Sequence, residues 1–261
     1  DWSSDVCSSD LKAVLQEQNS EERERLLGII KEGEKIDYTF HDAGSERVVV
    51  IGHGVTGNKD RPLVLALAEG LSAAGISALR FSFSGNGDSE GSFLDSNITK
   101  ELSDLDAVIS FVEGLGKKVV YAGHSMGGAV GVSVASQDDR ITALISLAGM
   151  VNTKKFATTE FGEVTPDKGF MWDDEDCPLS QAFMDDLNGI DTLLEKGTSI
   201  NVPWLLIHGT EDDVVLIDDT HDIHEKAGEN CTKLIIEGAD HVFSDAEHMK
   251  KMVDGAVKWL S

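Results

Sequence analysis

Positive charge is what this chain has least of: 22 Lys and Arg stand against 47 Asp and Glu, a formal net charge of −25. A field of that sign repels phosphate backbones and anionic lipid surfaces, which speaks against nucleic acid as a partner. The plain reading is a well-solvated acidic surface, with adaptation to a saline habitat as the alternative. No apolar run approaches the ~20 residues of a membrane span, so no membrane partner is expected either. Proline is scarce, 4 residues against 26 glycines, and the hydrophobic fraction of 41% is that of an ordinary globular protein rather than a disordered or collagen-like one. Cysteine is scarce as well. Three in 261 residues exclude a disulfide scaffold, and a chain of this length builds its core without such staples.

The first eleven residues, DWSSDVCSSDL, match no natural element. Back-translated, they resemble a short-read sequencing adapter, which points to an assembly of environmental DNA, and residues 1–11 are set aside as an artefact. The chain does not begin with Met, so neither its native start nor a signal peptide lost at this junction is legible. Without Cys7 two cysteines remain, Cys177 and Cys231, with no metal-ligand spacing between them. Two reduced thiols suit a cytoplasmic protein.

Beyond that junction, β-rich runs alternate with amphipathic stretches. LLGII and KIDYTF are candidate opening strands. RVVVIGHG (47–54), ISALRFSFS (76–84), KKVVYAGHS (117–125), ITALISLAG (141–149), VPWLLIHG (202–209) and TKLIIEGA (232–239) are nearly continuous apolar runs, as expected of strands buried on both faces. Helices are predicted between them over 61–75, 98–116, 126–137, 217–228 and 246–260. The pattern predicts an α/β fold with a mostly parallel central sheet and helices on both faces. One interval breaks the alternation: residues 152–200 carry Phe156, Phe161, Phe170, Trp172 and Phe183 among many acids, without a clear strand. An insertion of that length at the carboxyl edge of a sheet predicts a lid whose five aromatics line a substrate cleft, although the same residues could form only the insertion's own small core. The expected organisation is therefore a core in two parts, 12–151 and 201–261, around a lid of 152–200.

The pattern G-x-S-x-G occurs twice, at Gly123–Gly127 and Gly87–Gly91. Only the first follows a strand and opens a helix, the strained strand–turn–helix that presents a serine nucleophile. Ser89 sits instead between Asp88 and Glu90, whose charges oppose a developing oxyanion. A serine hydroxyl needs a base, and the base needs a third group to orient it. His241 follows the run TKLIIEGA, and the acids Glu211, Asp212 and Asp213 follow VPWLLIHG, each just past a strand's carboxyl end as Ser125 is. The order Ser, Asp, His suits this architecture. The amide of Met126, next after the serine, is placed to donate to an oxyanion. His221 and His224, three apart on a helix, lack a third ligand, so no metal site is expected.

These residues together resemble the α/β-hydrolase superfamily from about Leu26 onward. His53-Gly54-Val55 resembles its oxyanion loop, Gly123–Gly127 its nucleophile elbow, and His208–Val215 its H-G-x-x-D-x-x-V acid loop, with Leu216 where a proline commonly follows. The resemblance implies Asp212 as the acid, Val55 as the second oxyanion donor, His53, His124 and His208 as loop-orienting residues, and no cofactor. The insertion is loosely similar to the compact lid of bacterial cinnamoyl and feruloyl esterases. The family's members that split epoxides or carbon–halogen bonds carry Asp at the elbow, and dienelactone hydrolases carry Cys; Ser125 therefore implies a serine hydrolase of carboxylic esters, with a small hydrophobic or aromatic acyl group. Amide or peptide hydrolysis or acyl transfer by the same triad is one alternative, and a non-catalytic ligand-binding protein of the same fold is another. Oligomeric state is not legible.

Overall fold

The computed structural model describes residues 29–31 and 33–261. The adapter-like segment, Cys7 and the first residues of LLGII lie outside them. Ile29–Lys31 (β1) and Glu34–Ile36 (β2) form an antiparallel pair. A seven-stranded sheet follows, built from Tyr38–His41 (β3), Arg47–Gly52 (β4), Ser77–Phe81 (β5), Lys118–His124 (β6), Ile141–Leu147 (β7), Trp204–Gly209 (β8) and Cys231–Ile236 (β9). Its order is β3-β5-β4-β6-β7-β8-β9, and only the β3–β5 pair at one edge is antiparallel. KIDYTF, read as one strand, splits at Asp37 into β2 and β3. The expected mostly parallel sheet is present.

Strand alternation divides the core in two. Val48 and Val50 of β4 face one layer of buried side chains and Val49 and Ile51 face the other. Helices α1 (Pro62–Ala73) and α8 (Ala246–Leu260) close the second layer, α8 burying Met252, Ala256 and Leu260 at one-turn spacing. Helices α2 (Ile98–Gly114), α3 (Met126–Ala135) and α7 (Asp218–Lys226) close the first. Side-chain caps set two of the helix starts: Asn97 accepts from Lys100 N at 2.8 Å, and Asp245 from Glu247 N at 2.9 Å. No described helix is long and apolar enough to cross a membrane.

The insertion folds as three helices, α4 (Thr153–Phe161), α5 (Gln181–Ile190) and the single turn α6 (Leu194–Gly197). Phe156, Phe161, Phe183 and Leu187 join the same buried cluster as the first face of the sheet, and Asp186 of α5 binds the backbone and hydroxyl of Thr99 on α2. Because every parallel strand runs the same way, the segments after β4, β6, β8 and β9 all emerge at one edge of the sheet, where crevices for ligands form.

One buried group in this scaffold lacks compensation. Glu101 of α2 is 1% exposed, and neither carboxyl oxygen completes a hydrogen bond among the described residues, although Ser96 lies beside it. Asp104, one turn along, is satisfied by the Ser84 amide at 2.8 Å and hydroxyl at 2.9 Å. Burial, with the nearby Asp104 and Asp186 carboxylates, pushes the Glu101 carboxyl well above its ordinary range. A carboxyl raised in the folded state favours folding at low pH and loses that contribution as pH rises toward its folded value. Glu101→Gln should therefore gain on the wild type as pH rises above about 4.5. The gain should be about 1.4 kcal/mol for each unit by which the carboxyl is raised, read from urea unfolding at pH 5 and pH 8. An equal offset at both pH values would mean that Glu101 is already ionised in the fold.

Candidate active site

Ser125 follows β6 and caps α3 with φ 54° and ψ −117°, a left-handed conformation that costs a non-glycine residue on the order of 1–3 kcal/mol. Contacts on both sides hold it: Ser125 N donates to Leu147 O, and Met150 N donates to Ser125 O, each at 3.0 Å. The flanking glycines are steric necessities. A Cβ on Gly123 would lie 2.2 Å from Gly127 O, and one on Gly127 would lie 2.5 Å from His53 O. The second G-x-S-x-G forms no such elbow. Ser89 accepts from Asp37 N at 2.8 Å and donates to Ser82 O at 2.7 Å, so its hydroxyl ties a loop to the sheet.

Among the three neighbouring acids, Asp212 is buried while Glu211 and Asp213 are exposed. Its Oδ1 accepts from Val214 N at 3.0 Å and Val215 N at 2.9 Å, which closes the loop without the proline that Leu216 replaces. Its Oδ2 meets His241 Nδ1 at 2.8 Å and His208 Nε2 at 3.1 Å. Burial alone would raise this carboxyl, but the hydrogen bonds from His208 and His241 outweigh it and hold Asp212 well below the usual carboxylate range. An acceptor at Nδ1 fixes the proton of His241 there and leaves Nε2 free to accept another. His208 Nε2 also donates to Val215 O at 2.8 Å, and its Nδ1 accepts from the Thr220 hydroxyl at 2.8 Å, so the ring joins the acid loop to α7. His124 Nε2 donates to His241 O at 2.9 Å and holds the base-bearing loop against the elbow.

The loop after β4 is organised by His53. Its Nε2 accepts from Phe83 N at 3.0 Å, so its Nδ1 carries the proton and donates to Gly54 O at 2.8 Å. Gly57 N donates to the same carbonyl at 3.0 Å. In a trans peptide the C=O and N–H point opposite ways, and no peptide described here is cis; with Gly54 O held inward, Val55 N–H is turned the other way. Neither Val55 N–H nor Met126 N–H meets an acceptor among the described residues. Two unoccupied amides at this place can accept a developing negative charge.

Val55, Ser125 and His241 line one cavity of about 640 Å³, with Leu63, Val64, Val214 and Met249 among its apolar walls. Of the five insertion aromatics expected there, only Trp172 lines it. Phe156 borders a smaller neighbouring depression that shares Val214. Phe161 is fully buried, with ring centroids 5.8 Å from Phe156, 4.9 Å from Trp172 and 5.9 Å from Phe183, and Phe170 lies on the surface. The expectation of an aromatic-lined cleft is corrected on this point: an insertion of three short helices needs a core, and its rings find their nearest apolar partners in one another. Trp172 remains 44% exposed, its Nε1 bound to Glu160 Oε2 at 2.8 Å. Sequence reasoning missed Leu63, Val64, Val242 and Met249; the only signal was proximity, since α1 begins just after the Val55 loop and Val242 follows His241. His221 faces the Lys233 amine, and no metal-binding group of three or more His, Cys, Asp or Glu exists among the described residues.

A family model described as serine aminopeptidase, S33, matches residues 43–167, which include Val55 and Ser125 but stop short of Asp212 and His241. The ferulic acid complex of Est1E from Butyrivibrio proteoclasticus is similar over 89% of this chain and 97% of its own, with TM-score 0.79 and 25% identity. The Pyrococcus furiosus esterase Pf2001 covers 89% and 88%, with TM-score 0.70 and 22% identity, a likeness of fold. A quorum-quenching protein, AidA, of Acinetobacter baumannii is 36% identical over 106 residues, 38% of this chain and 34% of its own length. The chain thus spans about a third of that curated relative.

Burial pushes His53 down to about 4, and burial together with the neighbouring His241 pushes His124 down to about 3. Histidines kept uncharged in the fold but protonated below about 6.5 when unfolded favour folding above that pH, and the benefit is lost as pH falls toward their folded values. Between pH 6.5 and about 4 they draw stability down by about 1.4 kcal/mol per pH unit each. His124→Gln, whose amide can still reach His241 O, should lower proton uptake on unfolding in this window by about one, measured from the pH dependence of unfolding free energy. An unchanged slope would place the proton on His124 in the native protein.

Proposed function

We propose that this protein, an α/β hydrolase by fold, cleaves carboxylic esters through an acyl-enzyme formed on Ser125. The observation that carries the reading is the strained Ser125 elbow sharing one cavity with His241, whose other ring nitrogen is held by a buried, ionised Asp212. In the proposed cycle Ser125 Oγ attacks the ester carbonyl carbon while His241 Nε2 takes the hydroxyl proton, and Asp212 stabilises the resulting imidazolium. Val55 N–H and Met126 N–H receive the carbonyl oxygen as it gains charge, without reorganising. Collapse breaks the bond to the alcohol oxygen, which leaves with the proton from His241. Water then attacks the acyl-enzyme, His241 takes its proton, and the second collapse returns that proton to Ser125 and frees the acid.

Apolar walls and a volume of about 640 Å³ suit a small hydrophobic or aromatic acid, and the likeness to a ferulic acid complex supports an arylacrylic group among the candidates. Trp172 is the one insertion aromatic placed to touch it. The second reading, peptide or amide hydrolysis, is favoured by the description of the matching family model. An aminopeptidase, however, must hold the ammonium at the substrate's N-terminus, and this cavity is lined by no Asp or Glu; its charged wall residue is Arg61. A panel of nitrophenyl esters of graded acyl length with methyl ferulate, run against aminoacyl nitroanilides, decides between the two. Labelling of Ser125 by a serine-directed phosphonate separates both from a binder that keeps the fold without turnover.

Ser125→Ala and His241→Ala should each lower kcat by about 10⁴ to 10⁶ while the protein stays folded, because members of such a unit fail together. Ser89→Ala should keep turnover and lose only the loop's ties to Asp37 N and Ser82 O. A dead Ser89→Ala beside an active Ser125→Ala would reverse the choice of elbow. Trp172→Ala should raise KM for aryl esters more than for acetyl esters. Deleting the whole insertion is a poorer test, because Phe161, Phe183 and Leu187 belong to the core of the sheet itself.

A further inference from the structure

Arg61 is the one cation on the cavity wall, and no described carboxylate pairs with it. Its side chain makes one hydrogen bond, from a terminal guanidinium nitrogen to Thr56 O at 2.8 Å, so most of its five donors are uncommitted. Among the described residues Arg47 and Lys117 also bond only backbone carbonyls; what sets Arg61 apart is its place on the cavity wall. In a chain with 47 acids against 22 bases, the adjacent Lys59 is held by Asp37 and Asp60, Arg80 by Asp60, and Arg140 by Asp106 and Asp138. The first turn of α1, which Arg61 precedes, contains no acid, and no acid lines the cavity. A guanidinium with free donors, opening on the same cavity as Ser125, matches a planar oxyanion.

Resting on the ester hydrolase reading, we infer that Arg61 sets substrate specificity by favouring esters that carry a carboxylate beyond the scissile bond. The acidic run Asp173–Asp176 beside Trp172 and the net charge of −25 oppose an anion at long range. That opposition is screened over about 8 Å at physiological ionic strength, whereas a guanidinium–carboxylate contact acts at hydrogen-bond distance. Arg61 lies at the exposed end of the cavity, so the preference is moderate and weakens with salt.

The test compares two matched pairs of esters on the full chain: monomethyl adipate with methyl hexanoate, which puts the charge on the acid half, and 6-acetoxyhexanoate with hexyl acetate, which puts it on the alcohol half. In one pair, the anionic-to-neutral ratio of kcat/KM should fall about three- to tenfold in Arg61→Gln, chiefly through KM, while Arg61→Lys keeps most of it and 0.5 M NaCl shrinks it in the wild type. Both ratios unchanged in Arg61→Gln would overturn the inference. So would an equal loss on all four esters, which would reduce Arg61 to a brace on the Thr56 carbonyl. A wild type that hydrolyses neutral esters keeps the ester reading whatever Arg61 does; one that hydrolyses none of the four, nor any nitrophenyl ester or methyl ferulate, removes that reading and this inference with it, and one that turns over only the latter overturns this inference alone.

Discussion

The buried carboxylate of Asp212 is the joint on which the edge of this sheet depends. Its two oxygens receive two backbone amides of its own loop and two histidine rings. Those rings come from different places: His208 ends β8 and reaches Thr220 on α7, and His241 follows β9 and is gripped through its carbonyl by His124. One charge therefore fixes the relative positions of β6, β8, β9 and α7. A buried charge with one partner removed costs about 3–5 kcal/mol, so every member of the set is held in place by the rest. The arrangement prepares His241 for proton transfer by settling where its own proton sits, which is a structural consequence of Asp212 before it is a chemical one.

A second constraint governs the other side of the cavity. Ser125 and Thr56 both hold positive φ, at 54° and 56°; Ser125 is fixed by backbone bonds to Leu147 and Met150, and the Thr56 carbonyl by the Arg61 guanidinium. At Ser125 the room comes from Gly123 and Gly127, which let the chain fold back within contact of itself. On the Val55 loop the control comes from His53, an uncharged ring that accepts from one strand's end and donates to the loop of another. Burial keeps that ring uncharged, and only an uncharged ring can both accept from Phe83 N and donate to Gly54 O. The aim of the Val55 amide thus rests on the burial of a histidine in the loop before it.

The sheet was legible because its strands are buried on both faces and read as unbroken apolar runs, and the elbow because a strand, a serine between glycines and a helix follow one another without a gap. The choice among Glu211, Asp212 and Asp213 was legible only through resemblance. Local sequence makes three adjacent acids equivalent; the fold distinguishes them by burying one. The insertion was misread for a related reason, since Phe161 and Phe183 have the same side chain whether they fill a core or line a cleft, and a helix spacing of apolar residues is short and broken there. Glu101 was invisible for the opposite reason. An acid three residues from another on an amphipathic helix looks like solvated surface, and only packing against the Ser84–Ser96 loop and α5 reveals that water is excluded. Arg61 carried no signal beyond its closeness to the Val55 loop.

The buried titratable groups also oppose one another in pH. His53 and His124 weaken the fold as pH drops below about 6.5, and Glu101 weakens it as pH climbs above about 4.5. Above about 4.5 the acid's trend opposes that of the histidines, whose own contribution is complete above about 6.5. The histidines favour the fold most where they are uncharged in folded and unfolded chains alike, and Glu101 where it still holds its proton. Those two conditions serve different parts of the protein. Uncharged His53 and His124 keep the Val55 and His241 loops aimed at the cavity, and protonated Glu101 keeps α2 seated against α5. The insertion and the cavity loops are thereby stabilised by separate buried protons, so a pH that loosens the support of one need not loosen the other.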